Sequence, residues 1–197
     1  MVFIKGMIVE KVSIVKRRKR VASDPGRDCL PGNGIQVLKE QETNDGAFYI
    51  DEMDLKQVYL LKGVEPEVII GLLDLCTILK LEPQEVLIVP TQSNRTVYFL
   101  LAGRLRIHLD SVDSKPIVML DPGESVGEMS VVDHKPTSAF VVADESCVLL
   151  AMEEDTLWSL VQASHAAARN LLFTLVQRLR HADAIISDNM VRGVKTP

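Results

Sequence analysis

Cysteine is scarce in this 197-residue chain: Cys29, Cys76 and Cys147 lie far apart, and no two stand at a metal-ligand or pairing distance. An odd, scattered set excludes a disulfide framework and points to a reducing, cytoplasmic setting. Cys76 and Cys147 fall inside apolar runs and read as buried thiols. The four histidines (His108, His134, His165 and His181) share no ligand spacing with cysteines or carboxylates, so neither a metal site nor a cofactor is expected. No apolar run approaches the ~20 residues of a spanning helix. A secretory leader is also excluded, because the basic cluster KRRKR follows the apolar stretch MVFIKGMIVEKVSIV and no small-residue cleavage site appears.

What is present is ordinary for a globular protein: 47% apolar and 25% charged residues, enough for one domain and an extension. The net charge of −5 conceals an asymmetry, with +6 in residues 1–27 and −11 in the remainder. A body carrying −11 repels a phosphate backbone, so the folded part is not a general nucleic-acid binder. The basic leader could still touch an anionic membrane surface or a nucleic acid, and the sequence leaves that open. Residues 22–47 are rich in turn-forming and polar residues and read as a linker. The expected organisation is a poorly ordered leader and linker over 1–50, one domain over 51–190 and a tail over 191–197.

Within the domain, a short amphipathic helix is expected from Pro66 to Leu75, with proline suited to its first turn. Strand-like runs follow at Thr77–Leu81, Val86–Val89, Thr96–Leu101, Arg104–Leu109 and Ile117–Leu120. Gly103 and the DSVDSKP turn separate the last three at hairpin spacing. Ser138–Ala143 and Cys147–Met152 read as two further strands, Glu153–Val161 as a short helix, and Ser164–Ile186 as a long one. Short strands at regular spacing make the fold mainly β with flanking helices, an antiparallel jelly-roll barrel closed by a long C-terminal helix. That helix carries Ala168, Leu172, Leu175, Leu179, Ala182 and Ile186 in alternating steps of four and three, widened by Leu171 and Ile185. Such a stripe suits a parallel pairing of two copies.

The stretch Leu120–Ala143 carries the chemistry. A strand meets the turn DPG, a second glycine, Gly127, is followed at once by Glu128, and a short apolar segment leads into the loop DHKP. A helix start leaves backbone N–H groups free for an anion. An ionised carboxylate beside it accepts hydrogen bonds from hydroxyls. Together they describe a cradle for a phosphate joined to a sugar.

These residues resemble the phosphate-binding cassette of the cyclic-nucleotide-binding domain family, G-E-[LM]-[AGS]-[LV]-[LIVF]-x-x-x-P-R-[AST]-A. Gly127, Glu128, Met129, Ser130, Val131, Val132, Pro136, Ser138 and Ala139 match it without a gap. The resemblance spans about Met53 to Asn189 and implies a non-enzymatic sensor. Its ligand-binding residues would be Gly127, Glu128, Met129, Ser130, Thr137, Ser138, Ala139 and Asp183. In the family the glutamate accepts from the ribose 2′-hydroxyl and the arginine pairs with the cyclic phosphate. Here Thr137 replaces that arginine, at a cost of about 2–4 kcal/mol, or about 1.5 to 3 decades in affinity. Lys135 is the substitute cation nearest in sequence. The family's purine-contacting pair falls on Ala182 and Asp183, and Asp183 would favour guanine, whose edge presents two N–H donors.

Two further readings bound the function. Gly123-Glu124-Ser125-Val126-Gly127 matches the G-x-S-x-G nucleophile elbow. That elbow needs a parallel sheet of βαβ units, which the short turns here do not provide. After Ile186 the sequence SDNMVRGVKTP is too short for a helix-turn-helix, so no DNA reader is expected in this chain. The expected protein is a regulatory domain that binds a cyclic nucleotide weakly, or a different nucleotide-like ligand, and forms a homodimer through its last helix. The alternative is a ligand-free scaffold of the same fold.

Overall fold

The computed structural model describes residues 8–13, 48–49 and 52–193. The basic cluster at 16–20, the linker at 22–47, Cys29 and the last four residues lie outside them. In chain order the elements are β1 (Ile8–Ser13), β2 (Phe48–Tyr49), α1 (Glu52–Gln57), a 3-10 turn (Tyr59–Leu61), α2 (Pro66–Leu73), β3 (Thr77–Leu81), β4 (Val86–Ile88) and β5 (Thr96–Ala102). They continue with β6 (Leu105–His108), β7 (Val118–Leu120), β8 (Ser125–Val126), α3 (Glu128–Asp133), β9 (Phe140–Ala143), β10 (Cys147–Glu153), α4 (Glu154–Ala163) and α5 (His165–Gly193).

The strands form two sheets. One has the order β2-β1-β3-β10-β5-β8 and the other β4-β9-β6-β7. All described pairs are antiparallel except β1 with β2. This is the mainly-β, jelly-roll architecture with flanking helices that the strand spacing predicts, built as two facing sheets rather than as a closed barrel. Within the segment read as a leader, Ile8–Ser13 adds a strand between β2 and β3, pairing Val9 with Leu79 and Glu10 with Ile78.

One predicted hairpin is corrected. The runs on either side of Gly103 do not pair: β5 bonds to β10 and β8, whereas β6 bonds to β7 and β9 in the opposite sheet. Gly103 turns the chain across the sandwich at φ +85°, where a Cβ would lie 2.4 Å from the Ser146 carbonyl oxygen. Only glycine fits that corner. The expected hairpin across DSVDSKP does form, between β6 and β7.

The sandwich holds two cores. Leu79, Leu81, Leu100, Leu105, Leu120, Val141 and Leu149 fill the space between the sheets. Ile78, Val97, Phe99, Leu150 and Met152 project from the other face of the larger sheet onto Leu73, Leu157, Leu160 and Leu171 of the helices. Central strands therefore bury both faces, which explains why VYFLLA and CVLLAM are nearly unbroken apolar runs and not alternating ones. The start of α5 is fastened to this body by Asn170, whose side-chain amide donates to the carbonyls of Leu60 at 3.1 Å and Lys62 at 2.7 Å. From there α5 runs past the end of the smaller sheet, where the site lies.

Candidate functional site

The cassette is shaped by its glycine. Gly127 follows β8 at φ +94° and caps α3; a Cβ there would sit 2.4 Å from the Thr96 carbonyl oxygen. The Asn94 amide holds the bend by donating to Thr96 O at 2.8 Å and Gly127 O at 3.4 Å. This geometry turns Glu128 inward at the first residue of α3, leaving it 3% exposed. With only six residues, α3 aligns few peptide dipoles, so side-chain charge matters more here than the helix start.

The pairing of Glu128 was not legible from the cassette. Arg178 of α5 donates through Nε to Glu128 Oε1 at 3.2 Å and through Nη2 to the Ser125 carbonyl at 2.6 Å. One guanidinium thus spans the carboxylate and the strand that precedes it. Burial raises the Glu128 pKa above the ordinary carboxylate value, and the Arg178 charge offsets this only in part. Glu128 Oε2 has no hydrogen-bond partner among the described residues. Unpartnered buried atoms also occur on Arg106 and His108, but of these three residues only Glu128 lines the cavity described next.

A cavity of about 250 Å³ lies between the cassette, the smaller sheet and α5. Ile88, Ile107, Val118 and Val141 give it an apolar wall, and α5 closes it with Arg178, His181, Ala182 and Ile185. That size is just below the range of typical small-ligand pockets, and a mostly apolar lining with a few convergent polar groups is their usual character. Seven of the eight expected site residues line it: Gly127, Glu128, Met129, Ser130, Thr137, Ser138 and Ala139.

Three expectations change. Asp183 is exposed and absent from the lining. The helix faces the cavity at 178, 181, 182 and 185, a helical stripe from which position 183 is turned away. Thr137 does not offer its hydroxyl to the cavity. Its Oγ1 lies 2.6 Å from Val89 O and 3.2 Å from Gln92 O, while its own N–H donates to Gln92 O and its carbonyl accepts from Thr91 N–H. It is a staple between the cassette and the loop after β4. Lys135, the expected substitute cation, has a side chain 77% exposed and pairs with Asp133 at 3.6 Å. Arg178 could have been found from the sequence: it stands one helical turn before Ala182, the position at which the family alignment brings the helix to the ligand.

The cassette loop is also tied from outside. His134 Nδ1 lies 3.4 Å from Glu154 Oε1, and Arg95 donates to Glu154 Oε2 at 2.8 Å. Ser125 is buried in β8, which pairs antiparallel with β5, unlike the parallel setting of a nucleophile elbow.

The family model of the cyclic nucleotide-binding domain matches residues 78–164, which includes the whole cassette. Over those residues the chain matches that family. It is 35% identical over 92 residues to the cyclic AMP receptor protein of Thermus thermophilus, covering 45% of this chain and 42% of the relative. The crystal structure of the Thermus thermophilus catabolite activator protein superposes with a TM-score of 0.58 at 27% identity, over 66% of this chain and 62% of that one. A cyclic nucleotide-binding domain of a protein kinase A regulatory subunit, solved with Sp-2Cl-cAMPS, gives 0.56 at 20% identity, over 67% and 86%, and shows the shared fold. The domain thus has a regulatory, sensor-type jelly-roll fold. The chain spans less than half the length of the curated relatives it matches. No helix among the described residues is long and apolar enough to cross a membrane.

The raised pKa of Glu128 has a consequence for stability. The native state keeps this proton to a higher pH than the unfolded chain does. The associated stability is therefore full below the ordinary glutamate pKa of about 4.3 and is lost as pH rises through the native value. Glu128→Gln mimics the protonated form. Its melting temperature is expected to match wild type near pH 4 and to exceed it increasingly toward pH 7. A difference that does not change with pH would contradict the buried, partly compensated carboxylate.

Proposed function

We propose that this chain is a non-enzymatic regulatory domain whose cradle takes a cyclic nucleotide, and whose output is a change in the docking of α5. The observation that carries the reading is Glu128: an almost fully buried carboxylate that lines the cavity, with one oxygen on Arg178 and the other buried without a hydrogen-bond partner among the described residues. An unsatisfied buried acceptor costs free energy until a donor arrives, and a ribose hydroxyl is such a donor. The apolar wall suits a base or ring lying against it. Sugar and phosphate would meet Glu128, Ser138 and Ala139, while the base would run toward His181 and Ala182. Asp183, outside the cavity, supports no guanine preference, so the identity of the base is left to experiment.

Signalling follows from position. Arg178 and Ala182 belong to α5 and Glu128 to the cassette, so a ligand held between them changes the free energy of helix docking. It shifts α5 only by its differential affinity for the two arrangements. A scaffold that binds nothing is the second reading, favoured by the pair that Arg178 already makes with Glu128. Melting with cyclic AMP, cyclic GMP and cyclic dinucleotides separates the two. A true ligand at a hundredfold its dissociation constant stabilises by about 2.7 kcal/mol, or about 5–10 °C for a chain of this size. That shift should disappear in Glu128→Ala; no shift with any of these compounds would favour the scaffold.

The exposed face of α5 supports a homodimer. Leu172, Phe173, Val176, Leu179 and Ile186 are 45–65% exposed on it. Leu172, Val176, Leu179 and Ile186 follow the four-three spacing of a helix seam, continued through Asp183. This seam keeps Leu172, Leu179 and Ile186 of the sequence-based stripe. It replaces Leu175, which packs against the core, with Val176. Leu172→Glu combined with Leu179→Glu should halve the mass measured by sedimentation equilibrium, and an unchanged dimer would place the contact elsewhere.

A further inference from the structure

We infer that two copies of this chain pair their long helices antiparallel, crossing at Val176, and not in the parallel sense that the apolar stripe alone suggests. The inference rests on the reading that α5 forms a homodimer, and it fixes the orientation of the second copy.

The two sides of α5 are distinct. Ala167, Leu171 and Leu175 pack on the core, and Arg178, Ala182 and Ile185 continue that side along the cavity. Turned away from the body, Arg169, Val176 and Asp183 stand at intervals of seven and form one exposed row. Leu172 and Leu179 flank this row on one side, Phe173 and Arg180 on the other, and all four are exposed. The row is polarised, with a cation at its start, an anion near its end and Val176 midway between them. Neither Arg169 nor Asp183 makes a hydrogen bond or an ion pair among the described residues, so both charges are free for a partner.

Those charges decide the orientation. In a parallel, in-register pair each residue of the row meets its own copy, so Arg169 faces the partner's Arg169 and Asp183 faces the partner's Asp183. Like charges placed opposite each other disfavour that arrangement. Antiparallel pairing about Val176 exchanges the ends. Arg169 then meets the partner's Asp183, and two-fold symmetry forms the same ion pair again at the other end. The same rotation sets Phe173 opposite the partner's Leu179, and Leu172 against the alkyl stem of the partner's Arg180. Phe173, the largest exposed apolar side chain of α5 and only a flank of the four-three seam, thereby enters the contact. The result is an apolar centre with charged ends, the usual anatomy of a protein interface. It also braces the helices: residues 178–185 of one lie across from residues 167–174 of the other, the segment that Asn170 and Leu171 fasten to the body.

Electron-spin distance measurements on the full chain test the orientation. Cys29 is replaced by Ser, Cys76 and Cys147 are buried, and nitroxides are attached at the exposed positions of Gln177→Cys or Ser187→Cys. Labels at 177, near the crossing, should lie within about 20 Å of each other in either orientation. At 187 an antiparallel pair separates them by roughly 30–35 Å along the helices, whereas a parallel pair keeps them within about 20 Å. A short distance at 187 overturns the inference and leaves the homodimer standing. A monomeric mass in sedimentation equilibrium removes the homodimer itself, and the inference with it. Charge exchange gives a second measurement. Arg169→Glu or Asp183→Arg alone should weaken dimerisation about 5- to 50-fold, because each turns two attractions into repulsions, and the double exchange should recover most of the loss. In a parallel pair a single exchange only replaces one like-charge contact with another. Unchanged dimerisation in both single variants, or a loss that the double exchange does not recover, would also overturn the inference.

Discussion

A carboxylate taken out of water must find a cation, gather hydrogen bonds or keep its proton, and Glu128 is placed where it does each of these incompletely. Gly127 forces the side chain inward, burial raises its pKa, and one guanidinium from a helix fifty residues away offsets only part of the cost. Sequence-distant parts of the domain meet at this pair: the end of the larger sheet through Ser125, the cassette through Glu128, and α5 through Arg178. Replacing such a pair with apolar residues is often neutral or stabilising in other proteins, so stability alone is a weak reason for it. The oxygen left without a partner gives a better reason, because a buried acceptor with no donor costs free energy that a ligand hydroxyl, on the proposed reading, would recover.

The surrounding fold keeps that cavity open. Central strands packed on both faces make a rigid floor, and the smaller sheet contributes an apolar wall. Thr137 fastens the cassette to the loop after β4, while His134 and Arg95 fasten its neighbourhood to Glu154 of α4. With these restraints the cassette does not rely on a ligand for its shape. The helix α5 is held differently. Asn170, Ala167 and Leu171 anchor its first turns to the body, whereas beyond Arg178 it presents mostly exposed side chains. An element fixed at one end and lightly held at the other is suited to a small, graded shift.

Much of this was legible in the sequence where local rules decide. The Gly-Glu pair fixed the cassette, proline marked the start of α2, and apolar runs between turn residues placed β3 to β7, β9 and β10 within a residue or two at each end. The two-residue β8 was not visible, since Ser125 and Val126 have no pattern of their own and become a strand only by pairing with Tyr98 and Phe99. The β5–β6 connection was misread because hairpin spacing says that the chain turns, and only packing says into which sheet. Ile8–Ser13 was hidden by its basic surroundings and is organised by the register of β3. At the site, the seven cassette residues named from the sequence line the cavity, whereas Arg178, which pairs with Glu128, was not among those named. Thr137 announced a missing charge and proximity in sequence favoured Lys135, whose side chain the fold leaves at the surface beside Asp133. Asp183 failed for a related reason: an alignment carries positions, and the rotation of the helix decides which of them face inward.

On the proposed reading, a cyclic nucleotide in the cradle disturbs the Glu128–Arg178 pair as well as the cassette backbone. It is tested most directly by the ¹⁵N–¹H signal of the Arg178 Nε–H group in labelled protein, assigned by its loss in Arg178→Lys and followed during titration with a cyclic nucleotide. That signal is predicted to move in step with the backbone amides of residues 127–130. Cassette amides that titrate while the Arg178 signal stays fixed would show a ligand bound without this pair, and would contradict the account.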